Sequence, residues 1–83
     1  MISEVKPAYT TAALLQRIQG TVVLEVIVTR DGCAADIRVI RSLDPGLDLE
    51  AVNATAQWRF EPGRLAGVPV DVLVNVMLDF TIR

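Results

Sequence analysis

The sequence contains no histidine and a single cysteine, Cys33. These absences exclude an intramolecular disulfide, a cysteine–histidine nucleophile pair and a zinc site built from the usual ligands. The carboxylates are spread singly over expected turns, helix caps and strand faces, so we predict neither an enzyme nor a cofactor-binding protein. Cys33 falls in an expected turn, where a surface thiol without a special role is the favoured interpretation.

The chain also lacks an excess of basic residues and any long apolar run. Its net charge is -2 and its pI is near 4.9, which argues against a nucleic-acid partner because such partners need a basic surface. A run of about 18 apolar residues, the length that spans a membrane, does not occur. No signal peptide is recognisable at Met1. If the protein acts outside the cytoplasm, we expect its targeting segment to be removed or to belong to a longer chain.

The chain is rich in apolar residues, and many of them alternate with other residues along the sequence. Its 83 residues are 52% hydrophobic, which predicts one domain with a real core. The last stretch, VDVLVNVMLDFTIR, alternates almost without fault and predicts a strand over residues 70–82 with its even-numbered side chains buried. Such a strand would span about 43 Å, far longer than strands usually are.

A β-hairpin is predicted over residues 21–42, with strands at 21–29 and 34–42. The Asp31-Gly32 dipeptide suits a two-residue type I′ turn. This turn sets four inward pairs, Arg30–Cys33, Val28–Ala35, Val26–Ile37 and Leu24–Val39, and two outward pairs, Glu25–Arg38 and Val23–Ile40.

Two helices are predicted beside the strands. The first covers residues 11–19, after an extended lead-in over residues 1–9, with Thr10 or Thr11 as N-cap and Gly20 as its end. The second covers residues 49–57 with Asp48 as N-cap, and the preceding LDPG is interpreted as a turn. Its apolar positions at helical spacing are Leu49, Val52 and Ala56. Trp58 and Phe60 are expected to close the end of the core. Tyr9 is expected to pack beneath the first helix, and a position near a binding groove is the alternative.

The element order α-β-β-α-β predicts an α+β fold with both helices on one face of a three-stranded antiparallel sheet. We expect the spatial strand order 2-1-3, and the alternative places the third strand parallel beside the second. In the favoured order the last strand is an edge. Because the first strand offers at most about 30 Å of partner, part of the last strand is expected to overhang.

Several short motifs stand in order from Pro7 to the end of the chain. They are Tyr9 with Ala13 and Gly20, Asp31-Gly32, Leu47-Asp48, Trp58-Arg59-Phe60 with Pro62, and Gly67-x-Pro69-Val70. Together they resemble the C-terminal domain of the TonB family of energy transducers of Gram-negative bacteria, and we assign residues 10–83 to such a domain. The Trp-Arg-Phe-x-Pro element with the downstream Gly-x-Pro-Val is the most specific part. Thr10 and Gly63 depart from the family, where proline and alanine are usual, and this affects local loop shape alone.

The resemblance implies a periplasmic domain whose parent chain carries an inner-membrane helix and a proline-rich spacer. Neither is present in these residues, so we expect an excised domain or a domain used in another context. Family members grip the TonB box, a short N-terminal segment of outer-membrane transporters, which adds as a strand to their last strand. Inner-membrane partners driven by the proton gradient then transmit force, so that siderophores, cobalamin or other scarce nutrients enter.

The strand pattern points to the same place, because an unpaired strand edge is a template for strand addition. We therefore predict a peptide-binding site at the outward positions of the last strand: Asp71, Leu73, Asn75, Met77, Asp79 and Thr81. The alternative is a structural edge strand whose acidic residues only discourage aggregation. A competing function is self-association, as a homodimer or by exchange of the last strand between chains.

Overall fold

The computed structural model describes residues 6–82 as an α+β fold. Its elements in chain order are α1 (Thr11–Leu15), β1 (Gly20–Val28), β2 (Ala34–Arg41), α2 (Pro45–Ala56), β3 (Gly63–Leu65), β4 (Val68–Val70) and β5 (Val72–Phe80). The main sheet has three antiparallel strands in the order β2-β1-β5, which confirms the predicted spatial order. The first part of the predicted lead-in and Arg83 lie outside the described residues.

The last strand is shorter than predicted and is matched in length by its neighbour. β5 pairs with β1 without a register shift, from Gly20 opposite Phe80 to Val28 opposite Val72. The predicted overhang beyond β1 is therefore wrong, because the strand breaks at Asp71. The Asp71 carboxylate accepts a hydrogen bond of 2.8 Å from the N–H of Arg30, just past the end of the ladder.

The core lies between the helices and one face of the sheet. Alternation along β5 buries even-numbered side chains and exposes the odd-numbered ones, as the sequence pattern predicts. Even-numbered residues of β1 are buried in the same way. The core cluster consists of Ala13, Val22, Leu24, Val26, Leu47, Ala51, Trp58, Val76, Leu78 and Phe80. Because the cluster draws on both helices and only the even face of the sheet, the odd face is left open.

Helix α2 begins earlier than predicted. Asp44 is its N-cap and accepts a hydrogen bond of 3.1 Å from the N–H of Leu47, and Pro45 occupies the first helical turn. Proline suits that place because the first N–H groups of a helix have no partner within it. The prediction of Asp48 as the cap is wrong. Its carboxylate instead accepts from the N–H of Leu43 at 3.0 Å and from the hydroxyl of Ser42.

The buried face of α2 also differs from the prediction. Leu49 is 59% exposed and Ala56 is exposed, whereas Leu47 and Ala51 are fully buried. Starting the helix at Pro45 brings Leu47 into it, four residues before Ala51, and residues four apart share a helix face. Val52, the third predicted position, is partly buried and packs against the core, so the predicted face is right at Val52 and wrong at Leu49 and Ala56.

Helix α1 ends four residues before the predicted end. Thr10 is its N-cap, and its hydroxyl accepts from the N–H of Ala13 at 3.1 Å. The chain leaves the helix through Arg17, which has a φ of 54°. Gly20 does not close the helix but begins β1, where a Cβ would lie 2.7 Å from a methyl carbon of Leu43.

The turn between β1 and β2 is not the predicted two-residue turn. The N–H of Gly32 donates to the carbonyl oxygen of Thr29 at 2.9 Å, and the N–H of Thr29 donates to that of Cys33 at 2.9 Å. The loop therefore has three residues, and Gly32 ends it with a φ of 82°. A loop of this kind shifts the pairing by one residue, so Val28 lies opposite Ala34.

Two irregularities in β2 change the register along the hairpin. The first lies between the pairs Ile27–Ala35 and Glu25–Arg38, where Asp36 has a φ of 47°. It places an extra residue in β2, as a β-bulge does, and restores the predicted pairs Leu24–Val39 and Glu25–Arg38. The second places Val23 opposite Arg41, where Ile40 was expected. The predicted register is right in the middle of the hairpin and wrong at its two ends.

A second hairpin occupies part of the predicted loop before the last strand. β3 and β4 pair from Gly63 opposite Val70 to Leu65 opposite Val68. The two residues between them, Ala66 and Gly67, have φ values of 52° and 81°. Positive φ at both central positions is what a type I′ turn requires. The two-residue turn expected at Asp31-Gly32 is therefore found here instead.

Candidate functional site

The predicted site residues form one row along the last strand. Leu73, Asn75, Met77 and Asp79 lie in β5, all are exposed, and their side chains share the open face of the sheet. Asp71 precedes β5 and Thr81 follows it, and both are exposed as well. The fold thus places four of the six residues on one outer strand and the other two just beyond its ends.

Hydrogen bonds at the end of β1 show which way its backbone groups point. The N–H and C=O of Thr29 both bond within the turn to β2, whereas the N–H of Arg30 bonds to Asp71 beside β5. Backbone groups of successive residues point alternately to the two neighbouring strands. The even-numbered residues of β1 therefore direct their backbone groups towards β5.

The same alternation identifies the backbone groups of β5 that have no partner strand. Even-numbered residues of β1 lie opposite even-numbered residues of β5. The N–H and C=O groups of Leu73, Asn75, Met77 and Asp79 therefore point away from β1, and we call this row the free edge. Within residues 6–82 no strand pairs with it. An extended peptide could use these groups to form a fourth strand.

The two outer edges of the sheet are not equivalent. β2 contains both register irregularities and carries Asp36, Arg38 and Arg41. Bulges and charges on an edge strand hinder the addition of another strand. β5 pairs in unbroken register along its whole length. The free edge of β5 is therefore the better template of the two.

A groove of about 390 Å³ opens beside the second half of the free edge, and we call it the edge groove. It is lined by Met77 to Thr81 at the end of β5 and by Lys6, Pro7, Tyr9 and Trp58. Residues before α1 therefore share a groove with the second half of the free edge.

Tyr9 holds this segment in place. Its ring contacts Phe80 edge-on, with the centroids 5.5 Å apart, and its hydroxyl donates to the carbonyl oxygen of Ile18. For Tyr9, packing beneath the first helix was favoured over a position near the groove, and Lys6 and Pro7 were not predicted to line a site. No local pattern separates such residues from an ordinary lead-in, because their position depends on long-range contacts with β5.

Several of the other motif residues make contacts within the domain. Trp58 is buried and its ring lies 5.9 Å from that of Phe60. The N–H of Phe60 donates to the carbonyl oxygen of Gly32 at 2.9 Å, and the Arg59 guanidinium donates to Sγ of Cys33 at 3.1 Å. The segment after α2 is thereby attached to the tip of the first hairpin.

The described part of the chain, residues 6–82, offers no cluster of three or more histidine, cysteine or acidic side chains that could bind a metal ion. Over the same residues, neither helix has the length and apolar character needed to cross a membrane. Lys6 and the acidic residues near the edge are surface charges, and no catalytic arrangement is visible among them.

These features define a small α+β domain with one regular sheet edge that no strand within residues 6–82 covers. Its sequence matches the family described as Gram-negative bacterial TonB protein C-terminal over residues 5–82, and the chain belongs to this family. This confirms the resemblance seen in the sequence. The domain is also similar to the solution NMR structure of the Pseudomonas aeruginosa TonB C-terminal domain, with a TM-score of 0.75 and 35% identity, over 92% of this chain and 78% of that one.

Three relatives named Protein TonB extend the comparison. The protein of Vibrio cholerae is 31% identical over 98% of this chain, that of Escherichia coli K12 30% over 90%, and that of P. aeruginosa 39% over 93%. The matched regions are 34%, 32% and 23% of these relatives, respectively. The chain thus spans about a third of their length or less.

Proposed function

We propose that this domain is the periplasmic peptide-binding part of an energy transducer for nutrient uptake. In this proposal it binds the N-terminal TonB-box segment of outer-membrane transporters, which adds as a strand along the free edge. Force reaches the domain from proton-driven inner-membrane proteins through segments outside the described residues. The domain itself has no catalytic role and needs no cofactor.

The observation that carries the proposal is the free edge itself. Four consecutive outward positions present N–H and C=O groups in regular register, and no strand within residues 6–82 covers them. The edge groove lies beside two of these positions, Met77 and Asp79, so an incoming strand meets side chains as well as backbone there. Membership of the TonB C-terminal family supports the choice of partner.

The expected affinity is modest. About six added backbone hydrogen bonds, at about 1 kcal/mol net each, stabilise the complex by about 6 kcal/mol before association and ordering costs are subtracted. Backbone pairing alone therefore predicts a dissociation constant weaker than about 1 μM. Contacts with Leu73, Met77 and the edge groove must add to it. Such binding is short-lived, as a reversible grip on many transporters requires.

Titration of the labelled domain with N-terminal peptides of outer-membrane transporters, followed residue by residue by NMR, tests the proposal. We expect the amide signals of the free edge to shift and those of the outer side of β2 to stay in place. A scrambled peptide of the same composition serves as the control. Shifts confined to residues outside the range 70–81 would overturn the edge as the binding site.

Self-association is the second candidate function, because the free edge is equally open to a second copy of the chain. Leu73 and Met77 are 61% and 71% exposed on this strand, and such side chains favour a contact. Sedimentation velocity over a wide concentration range distinguishes the two. An obligate dimer does not dissociate on dilution, whereas a peptide-binding domain is monomeric at low concentration and binds peptide there.

A further inference from the structure

The open face of the main sheet is divided into apolar and polar bands that cross the strands. Met77 lies opposite Val23 on β1, and Leu73 lies opposite Ile27. Asn75, which lies between these two pairs, is opposite Glu25. Asp79, which lies beyond the Met77–Val23 pair, is opposite Thr21. The sequence of β5 therefore alternates apolar and polar residues along the open face, with like residues four positions apart.

Direct contacts hold the polar bands together. The hydroxyl of Thr21 donates to the Asp79 carboxylate at 2.6 Å, and the guanidinium of Arg38 on β2 lies 3.8 Å from the carboxylate of Glu25. One apolar band continues onto β2, since Ile27 also lies opposite Ala35, whereas Val23 of the other band lies opposite Arg41. Each band thus runs over at least two strands and stops at β5.

The apolar bands are left uncovered at the free edge. Val23 and Ile27 are half-buried by neighbours on both sides, whereas Leu73 and Met77 remain 61% and 71% exposed. A strand added to the free edge places one residue directly opposite each of these side chains, on the same face, with Cβ atoms about 4.5–5.5 Å apart. Those partner residues would be next to Leu73 and Met77 and would complete the bands.

From this geometry we propose that the open face selects the sequence of the added strand. The preferred occupant is an extended peptide segment with apolar side chains at two positions four residues apart, opposite Leu73 and Met77. The positions opposite Asn75 and Asp79 take uncharged polar or basic side chains, because an acid opposite Asp79 would place like charges together. This inference rests on the proposed function and adds to it a rule for which segments bind.

Three synthetic peptides test the rule by NMR titration. A host peptide contains only threonine, serine and lysine, a spaced peptide has two isoleucines four residues apart, and a close peptide has them two residues apart. We expect each isoleucine placed in an apolar band to tighten binding about two- to fivefold. The spaced peptide can place both isoleucines in apolar bands, so its affinity should rise by this factor twice. The close peptide can place only one isoleucine in a band, so its affinity should rise by this factor once.

Variants of the domain identify which side chains are responsible. Leu73→Thr and Met77→Thr should each remove about two- to fivefold of the affinity advantage that the spaced peptide has over the host peptide. Leu65→Thr is the matched control, because Leu65 is 71% exposed but lies on β3, which pairs with β4 and is not part of the main sheet. Nuclear Overhauser contacts should join the peptide isoleucine methyl groups to the methyl groups of Leu73 and Met77.

The outcomes separate the rule from the proposed function. If all three peptides bind the free edge with equal affinity, or if Leu73→Thr and Met77→Thr affect the host and spaced peptides alike, the sequence rule is wrong and strand addition stands. If no peptide shifts the free-edge amides, while transporter peptides also leave them unchanged, both the rule and the proposed function are wrong. A gain confined to the spaced peptide, lost in the two variants, supports the rule.

Discussion

The ring of Tyr9 meets the ring of Phe80 edge-on, with their centroids 5.5 Å apart, and joins the segment before α1 to the end of β5. Tyr9→Phe keeps this contact and removes the hydroxyl that donates to Ile18. We expect it to lower the free energy of unfolding by about 0.5–1.5 kcal/mol, measured by urea denaturation. Tyr9→Ala should lower it further, because the ring contact is lost too. Equal effects of the two changes would contradict a structural role for the ring.

Asn75→Pro should abolish peptide binding, because it removes a backbone donor from the centre of the free edge. Asn75→Thr is the matched control, since it changes the side chain and keeps the N–H. We expect the control to alter the dissociation constant by less than about fivefold. Calorimetry measures both. Amide exchange in the β1–β5 ladder verifies that the proline variant is folded, and retained binding by that folded variant would exclude the free edge as the site.

Methylation of the peptide backbone gives an independent check that leaves the domain intact. In an added strand, only alternate peptide N–H groups point at β5. N-methyl groups at those positions should prevent binding, and N-methyl groups at the intervening positions should be tolerated. An equal loss at both sets of positions would argue against strand pairing.

Leu47→Ala should lower the free energy of unfolding by about 2–5 kcal/mol, because the side chain is fully buried in the core. Leu49→Ala on the same helix should change it by less than about 0.5 kcal/mol, since Leu49 is 59% exposed. Thermal or urea denaturation measures the difference. Comparable losses would mean that α2 presents a different face to the sheet.

Asp44→Ala should lower the free energy of unfolding by about 0.5–2 kcal/mol, because the N-cap of α2 is lost. Asp44→Asn should be nearly neutral, because an asparagine side chain can accept the same hydrogen bond from the N–H of Leu47. Urea denaturation of both variants compares their free energies of unfolding and separates the loss of the N-cap hydrogen bond from the loss of the charge. A large loss in the asparagine variant would show that the charge of Asp44, and not its hydrogen bond, is what matters.

Gly32 and Gly67 have almost the same φ, 82° and 81°, in different surroundings. A Cβ on Gly67 would meet nothing within 4 Å, whereas a Cβ on Gly32 would collide with the carbonyl oxygen of Phe60. Gly67→Ala should therefore cost about 1–2 kcal/mol from backbone strain alone. Gly32→Ala should cost a further 1–3 kcal/mol or so by overpacking. If urea denaturation gives equal losses, the hairpin tip can move away from Phe60.

The strand pattern was predictable because burial of one face of a strand places apolar residues at every second position of the sequence. Even and odd residues of β5 separate as expected, and the preference for antiparallel neighbours gave the right strand order. The outward position of Leu73 and Met77 followed from the same alternation. These features depend on the spacing at which apolar side chains recur, and this spacing is visible in a single sequence.

Turns and helix starts were harder to predict because one short motif suits several conformations. Asp31-Gly32 fits both a two-residue turn and a three-residue loop. In the three-residue loop that is observed, the carbonyl oxygen of Gly32 accepts a hydrogen bond from the N–H of Phe60, which is far away in the sequence. Asp44-Pro45-Gly46 was interpreted as a turn, although a capping aspartate followed by proline also begins helices. The break at Asp71 depends on its bond to Arg30, which is far away in the sequence.

The difference between the two sheet edges limits how copies of this domain can assemble. Growth into a filament would need the β5 edge of one copy to pair with the β2 edge of the next, a head-to-tail contact that does not close. The bulges and charges of β2 hinder that contact. Pairing of two β5 edges about a twofold axis uses both regular edges and leaves none exposed. If the free edge is used for association, assembly of this chain would therefore stop at two copies, and a peptide bound there would prevent even that step.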